Sequence, residues 1–320
     1  MRLWRLAGLI VGLCAWGLLV SLGQVSIEPR AKPSPKQDAL PRPDLRVDTN
    51  LVLIPITVCD PQGRPVVGLE KQNFRLYDER QEQPISQFST DDQPVAVGMV
   101  FDTSSSMGAK LHRSRAAAQE FFKLANPEDE FLLVEFSDRP RLVIPLTSNP
   151  GPIENELVFT KSKGSTALID AVLLAAQQLK KSKKEQKALL VVTDGGDNNS
   201  RYTYKELVDY LRESEVQVYA IGVFELPGAR GTVEEMNGPG LLTKISELNG
   251  GRAFSAEAAE LPDIAIKIGV ELRNRYVLGY APSAQPRDGK YHNVVVRVVP
   301  PRGLPPLHSH WRRGYYAPAD

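Results

Sequence analysis

Cysteine is nearly missing from this chain of 320 residues, which has two, Cys14 and Cys59. Cys14 lies inside an amino-terminal hydrophobic run, and Leu13 before it is not the small residue that a lipoprotein signal needs. Cys59 then stands alone, so no internal disulfide can form and the core must hold the fold by itself. It sits in an apolar strand pattern and reads as a small buried hydrophobe. Net charge is scarce too. Lys and Arg number 39 against 38 Asp and Glu, a balance of +1 that argues against nucleic acid as a partner, which would want a basic stripe. Histidine is rarer still, with four residues. His112 and His292 are isolated. His308 and His310 share one side of a strand, but no third metal ligand lies near them in sequence.

One long uncharged run is present. Arg2 and Arg5 precede Leu6–Gly23, the pattern of an export signal or a membrane anchor. The run is about long enough to cross a bilayer as a helix, while Ser21-Leu22-Gly23 offers small residues for signal cleavage. Residues 1–23 are therefore expected to be a signal peptide or an anchor, and cleaved and retained forms both stay open. Either way the chain is expected to be exported, to the periplasm or the cell exterior, and to meet a membrane only through this segment. Residues 24–46 carry Pro29, Pro33, Pro35, Pro41 and Pro43 among charges, a semi-rigid linker.

The most informative stretch is Val95-Ala96-Val97-Gly98-Met99-Val100-Phe101-Asp102-Thr103-Ser104-Ser105-Ser106-Met107-Gly108. An apolar run without charge reads as a strand buried on both faces. It ends in Asp-x-Ser-x-Ser and opens a helix through Gly108. In an open α/β sheet, the carboxyl edge of the strands is where ligands bind. Asp102, Ser104 and Ser106 offer oxygen only, with no thiol or imidazole, which suits a hard divalent cation rather than zinc. Thr166 supplies another hydroxyl just before a long helical pattern, and Ala188–Thr193 is a second buried strand pattern that ends in Asp194. The plain alternative is that these residues are caps and turns, since Asp, Ser and Thr accept backbone N–H bonds at helix starts. Asp197 reads as a loop-shaping residue through Asx-type bonds.

From Val95 onward strand and helix patterns alternate. Helical periods cover Lys110–Leu124, Ala167–Lys181, Lys205–Glu213, Leu241–Leu248 and Leu261–Arg273. Strands are expected near Phe131–Phe136, Arg141–Ile144, Leu189–Thr193, Val216–Val223 and Gly251–Ser255. This alternation implies an α/β fold, a doubly wound, mostly parallel sheet with helices on both faces, over residues 93–272. Residues 47–92 have no helical period; Leu51–Val58, with Pro55 pointing to an edge or a bulge, Phe74–Asp78 and Pro84–Phe88 read as strands. Residues 273–320 are again β-rich in Arg275–Tyr280, Asn293–Val299 and Trp311–Tyr316. Each flank is too small to close a core alone. The economical reading pairs the two as one small β-sandwich with the α/β domain inserted between them.

Order, spacing and strand-end position of Asp102-x-Ser104-x-Ser106, Thr166 and Asp194 resemble the metal-ion-dependent adhesion site of von Willebrand factor A domains. Tyr276-x-Leu278-Gly279-Tyr280 and Arg312-Arg313-Gly314-Tyr315-Tyr316 are similar to a bacterial group of exported proteins that carry such a domain between β flanks. The resemblance implies that Asp102, Ser104, Ser106, Thr166 and Asp194 hold Mg²⁺, or Mn²⁺ or Ca²⁺ in its place. It further implies that Ser104, Ser106 and often Thr166 coordinate directly, with Asp102 and Asp194 acting partly through water. One position then stays open for the Asp or Glu carboxylate of a partner protein. The implied activity is binding, not catalysis. Two alternatives remain: a structural domain without metal that binds through its β flanks, and a hydrolase using Ser104 or Ser106. The latter lacks a Gly-x-Ser-x-Gly elbow and a histidine placed as its base.

Overall fold

Eight residues in a row, Val95–Asp102, are buried, and the strand they form is the axis on which the rest of the chain is arranged. The computed structural model describes residues 51–90, 92–223, 233–283 and 287–319. The expected signal or anchor at 1–23 and linker at 24–46 lie outside these residues. Among the described residues no helix is long and apolar enough to cross a membrane.

The described residues begin with four strands, β1 (Val52–Cys59), β2 (Phe74–Asp78), β3 (Gln81–Gln83) and β4 (Gln87–Ser89). It continues through β5 (Val95–Asp102), α1 (Leu111–Phe122), β6 (Glu130–Phe136), β7 (Pro140–Thr147), α2 (Gly151–Phe159), α3 (Leu168–Leu179) and β8 (Gln186–Thr193). Then come α4 (Tyr204–Ser214), β9 (Gln217–Val223), α5 (Val233–Glu247), β10 (Ala253–Ala256) and α6 (Leu261–Arg273). It closes with β11 (Tyr276–Tyr280), β12 (Tyr291–Val298), β13 (His308–Trp311) and β14 (Gly314–Tyr316).

The central sheet has the order β10-β9-β8-β5-β6-β7 and is parallel except for β7, which runs antiparallel to β6 at the edge. Alternation along β5 splits the core. Val95, Val97, Met99 and Phe101 pack with α1, α2 and α6 on one face. Ala96 and Val100 pack with α3, α4 and α5 on the other. A Cβ at Gly98 would stand 2.7 Å from Leu189 Cδ2, so a side chain there would force the Leu189 tip to shift.

The flanks form two antiparallel four-stranded sheets, ordered β13-β1-β11-β4 and β14-β12-β2-β3. Each sheet takes two strands from before the α/β domain and two from after it. Ile54, Ile56, Phe74, Leu76, Leu278, Val294 and Val296 fill the core between them. Asp78 is buried in that core and accepts the hydroxyls of Tyr280 (3.0 Å) and Tyr315 (3.1 Å). Pro55 lies in an interior strand, but β13 pairs with β1 only from Ile56 on, so at Pro55 the strand has a neighbour on one side only. The missing N–H is tolerated there. The chain enters and leaves the α/β domain through paired strands, with Ser89 of β4 opposite Val277 of β11.

Several elements differ from the sequence reading: Pro84–Ser86 separates β3 from β4 where one strand is expected over Pro84–Phe88, and α5 starts at Val233 and not at Leu241. The sequence reading has no element between Ile144 and Ala167, yet α2 lies there: Asn149 Oδ1 accepts the Gly151 N–H (3.0 Å), and proline is well suited to a first helical turn. The carboxy-terminal pattern at Trp311–Tyr316 is two strands in different sheets, broken at Arg312-Arg313.

Candidate metal centre

Asp102 is the last residue of β5 and is fully buried. Its Oδ1 accepts the Ser104 N–H (2.7 Å) and its Oδ2 accepts the Thr193 hydroxyl (2.6 Å). Burial pushes the Asp102 carboxyl up to about 6 and the nearby Asp194 charge adds to the rise, against the lowering by these two hydrogen bonds. Because β5 and β8 are parallel neighbours with Phe101 opposite Val192, Asp102 and Asp194 come to the same sheet edge on adjacent strands. Gly195 follows with φ 104°, a left-handed turn that glycine makes without steric cost. Its N–H donates to Thr193 Oγ1 (3.0 Å), which fixes the turn.

Ser104 precedes a single 3₁₀ turn, Ser105–Met107, yet its side chain does not cap it. Its Oγ lies 3.1 Å from Ser106 Oγ instead. Thr166 stands before α3 and is likewise not the cap, a position taken by Ala167. The loop carrying Thr166 is tied to the end of β5, since Lys163 N–H donates to Thr103 O (2.8 Å) and Ser105 N–H to Gly164 O (3.0 Å). Thr166 O accepts the N–H groups of Asn198 (3.0 Å) and Asn199 (3.1 Å), which draws in the loop after Asp194. Five oxygen-bearing residues from three loops therefore gather at one edge, with hydroxyls not spent on helix capping. Two are buried carboxylates and three are hydroxyls, a donor set that fits a hard divalent cation. Among the described residues no group of three His, Cys, Asp or Glu gathers for a metal, so this set rests on its hydroxyls.

Asp197 shapes the loop, as its sequence context suggests. Its Oδ1 accepts the Ser200 hydroxyl (2.6 Å) and the Ile169 N–H (3.1 Å). Sequence reasoning missed Lys110, whose Nζ lies 3.0 Å from Asp194 Oδ2. One signal was available: a lysine at the start of a helix opposes the helix dipole and asks for a local carboxylate. It also missed Thr193, which bonds Asp102. His308 and His310 do share one face of β13, opposite Cys59 and Thr57 of β1. Burial there, with Arg252, Arg313 and His308 near, pulls His310 down to about 4.

A central sheet of this order, with its oxygen-bearing residues at the carboxyl ends of two neighbouring inner strands, defines an α/β domain with a candidate cation site, set between β flanks. Residues 97–196 match the family model of the von Willebrand factor type A domain, and the chain carries such a domain in that stretch. Among solved structures it is similar to a von Willebrand factor type A protein from Catenulispora acidiphila, at 14% identity and TM-score 0.49 over 76% of this chain and 62% of that one. It is similar to an aerotolerance-related membrane protein from Bacteroides fragilis at 17% identity and TM-score 0.46, over 56% of this chain and 98% of the other. A third likeness is to the von Willebrand domain of the type V pili tip protein Mfa5 from Porphyromonas gingivalis, at 14% identity and TM-score 0.46, over 58% of this chain and 98% of that chain. No curated protein matches the chain.

Proposed function

We propose that this chain is an exported binding module that captures an acidic residue of a partner protein through a divalent cation held by Asp102, Ser104, Ser106, Thr166 and Asp194. The observation that carries this reading is the pair of serine hydroxyls, Ser104 and Ser106, 3.1 Å apart and free of capping duty beside two buried carboxylates. Mg²⁺ bound there supplies an electrophilic position for a carboxylate from outside. Asp102 is already held by two hydrogen bonds, which suits a role through water. Thr193 and the Ser104 backbone fix its orientation. Among the described residues no histidine bonds Ser104 or Ser106, which favours binding over hydrolysis.

A second reading is supported by the Lys110–Asp194 pair. A lysine ammonium neutralises Asp194 without any metal, as a structural domain working through its β flanks would require. Titration with Mg²⁺ and Mn²⁺ by calorimetry, on the chain and on Ser104→Ala/Ser106→Ala, separates the two. Saturable binding lost in the double variant supports the binding module, and capture of an Asp- or Glu-bearing partner that EDTA abolishes completes it. No heat of binding with either ion sinks the metal reading.

A further inference from the structure

At the opposite end of the central sheet, β5, β8 and β9 begin against the outer face of the flank sheet that contains β1 and β11. A cavity of 320 Å³ lies in this seam. One wall is apolar, formed by Leu53 and Pro55 of β1 and Val277 of β11. The facing wall is built of amides and guanidinium groups, with Gln186 and Gln217 at the starts of β8 and β9, and Arg275 just after α6. Seams between domains are common places for small ligands.

The charges of the lining do not cancel. Glu185 offsets Lys187, and Glu215 Oε1 pairs with Arg312 Nη2 at 2.8 Å. Arg275 remains, 4% exposed and, among the described residues, with no carboxylate in ion-pair reach. Its terminal nitrogens donate to the side-chain carbonyls of Gln217 and Gln186. Asp92 and Asp129, the carboxylates whose charges reach it, are bound to Arg273 instead. Three buried side-chain atoms of the lining residues lack a hydrogen-bond partner: Arg275 Nε, Gln217 Nε2 and Arg312 Nε. All three are donors. A buried charge without a counter-ion, and buried donors without acceptors, are each costly. An acceptor-rich anion would relieve both costs, and the flat guanidinium matches a carboxylate in shape.

We propose that this cavity binds a small organic acid, its carboxylate held by Arg275 and Gln217 and its short hydrocarbon tail laid on Leu53, Pro55 and Val277. This site is separate from the metal edge and does not depend on the reading given to it. The test uses the full chain, with butyrate as the probe, butyramide as its uncharged isostere and sodium chloride at matched ionic strength. Thermal unfolding and calorimetry are read across each titration. Butyrate should raise the melting temperature saturably, while butyramide and chloride should not. Leu53→Trp fills the cavity and leaves the guanidinium in place, and Arg275→Gln removes the charge. In whichever of the two folds, the apparent Kd for butyrate should rise about tenfold or more. An equal response to butyramide or chloride overturns the proposal, as does an unchanged response to butyrate in the folded Leu53→Trp protein.

Discussion

Lys110 Nζ lies 3.0 Å from Asp194 Oδ2, and the two side chains are only 12% and 3% exposed. A fixed cation therefore sits against one of the two carboxylates of the candidate metal centre. It lowers the net charge that a divalent ion would meet there from −2 to −1. It also compensates a carboxylate that would otherwise be buried without a partner.

Lys110→Met should cost more stability without metal than with it. In EDTA the variant should lose about 3 kcal/mol, the usual cost of stripping one member from a buried ion pair. With Mg²⁺ in excess the loss should shrink, because the ion replaces the ammonium and stabilises by mass action. Denaturant unfolding in the two buffers reads both numbers. Equal losses in EDTA and in Mg²⁺ would show that Asp194 does not face a metal.

Asp102→Asn keeps the shape of the site and removes the charge, so it should abolish Mg²⁺ binding at a stability cost of about 1–3 kcal/mol from the mismatched Thr193 and Ser104 donors. Thr166→Ala should abolish or strongly weaken binding at lower cost, because its hydroxyl caps no helix. Circular dichroism melts and ion titrations on the same samples check both. An Asp102→Asn protein that binds Mg²⁺ unchanged would rule out the assignment of this edge.

The contrast between the legible and the hidden parts of this chain is physical. The run Val95–Phe101 announces a strand buried on both faces, because only that environment accepts an unbroken apolar segment. The Asp-x-Ser-x-Ser stretch is legible as the end of that strand, because short oxygen side chains that turn the backbone follow the apolar run. Proline and glycine hid α2, since Pro150-Gly151-Pro152 has the chemistry of a loop and of a helix start alike. Lys110 was hidden because its partner lies 84 residues away in sequence. The same holds for Arg275 and its two glutamines, whose meeting depends on how the flank sheet seats on the α/β domain.

His310 should make the flank seam acid-sensitive. Its folded value of about 4 is below the ordinary 6.5, chiefly through burial. The unfolded chain therefore binds the proton more readily. The stability His310 contributes is present above about 6.5 and is lost as pH falls toward 4. His310→Gln should flatten the melting temperature between pH 6.5 and 4 relative to the parent chain. An identical slope in the variant would place the acid sensitivity elsewhere.

Cys59 should report opening of the same seam. Its thiol is buried, 3.6 Å from Glu271 Oε1 on α6 and 3.6 Å from Arg252 Nη1, and burial pushes it up to about 12. In a Cys14→Ser background the native chain should resist iodoacetamide at pH 8 and react fully once unfolded in guanidinium. Weakening the contact by Glu271→Gln should raise the native labelling rate by about tenfold or more. Rapid labelling of the parent chain would show that α6 and β1 part freely.

The pairing of Ser89 with Val277 has a mechanical consequence. The two crossings into the α/β domain are clamped to each other within one antiparallel ladder, like the neck of a drawn purse. Tension between chain before β1 and chain after β14 is borne by the two flank sheets and does not run through the parallel sheet. Tension between the carboxyl edge of the central sheet and either flank takes another path, along β5 or α6 and then across the β4–β11 ladder. That load shears the ladder along its strands. A load applied at the carboxyl edge of the central sheet and a load that stretches the chain thus strain different bonds of the same small protein.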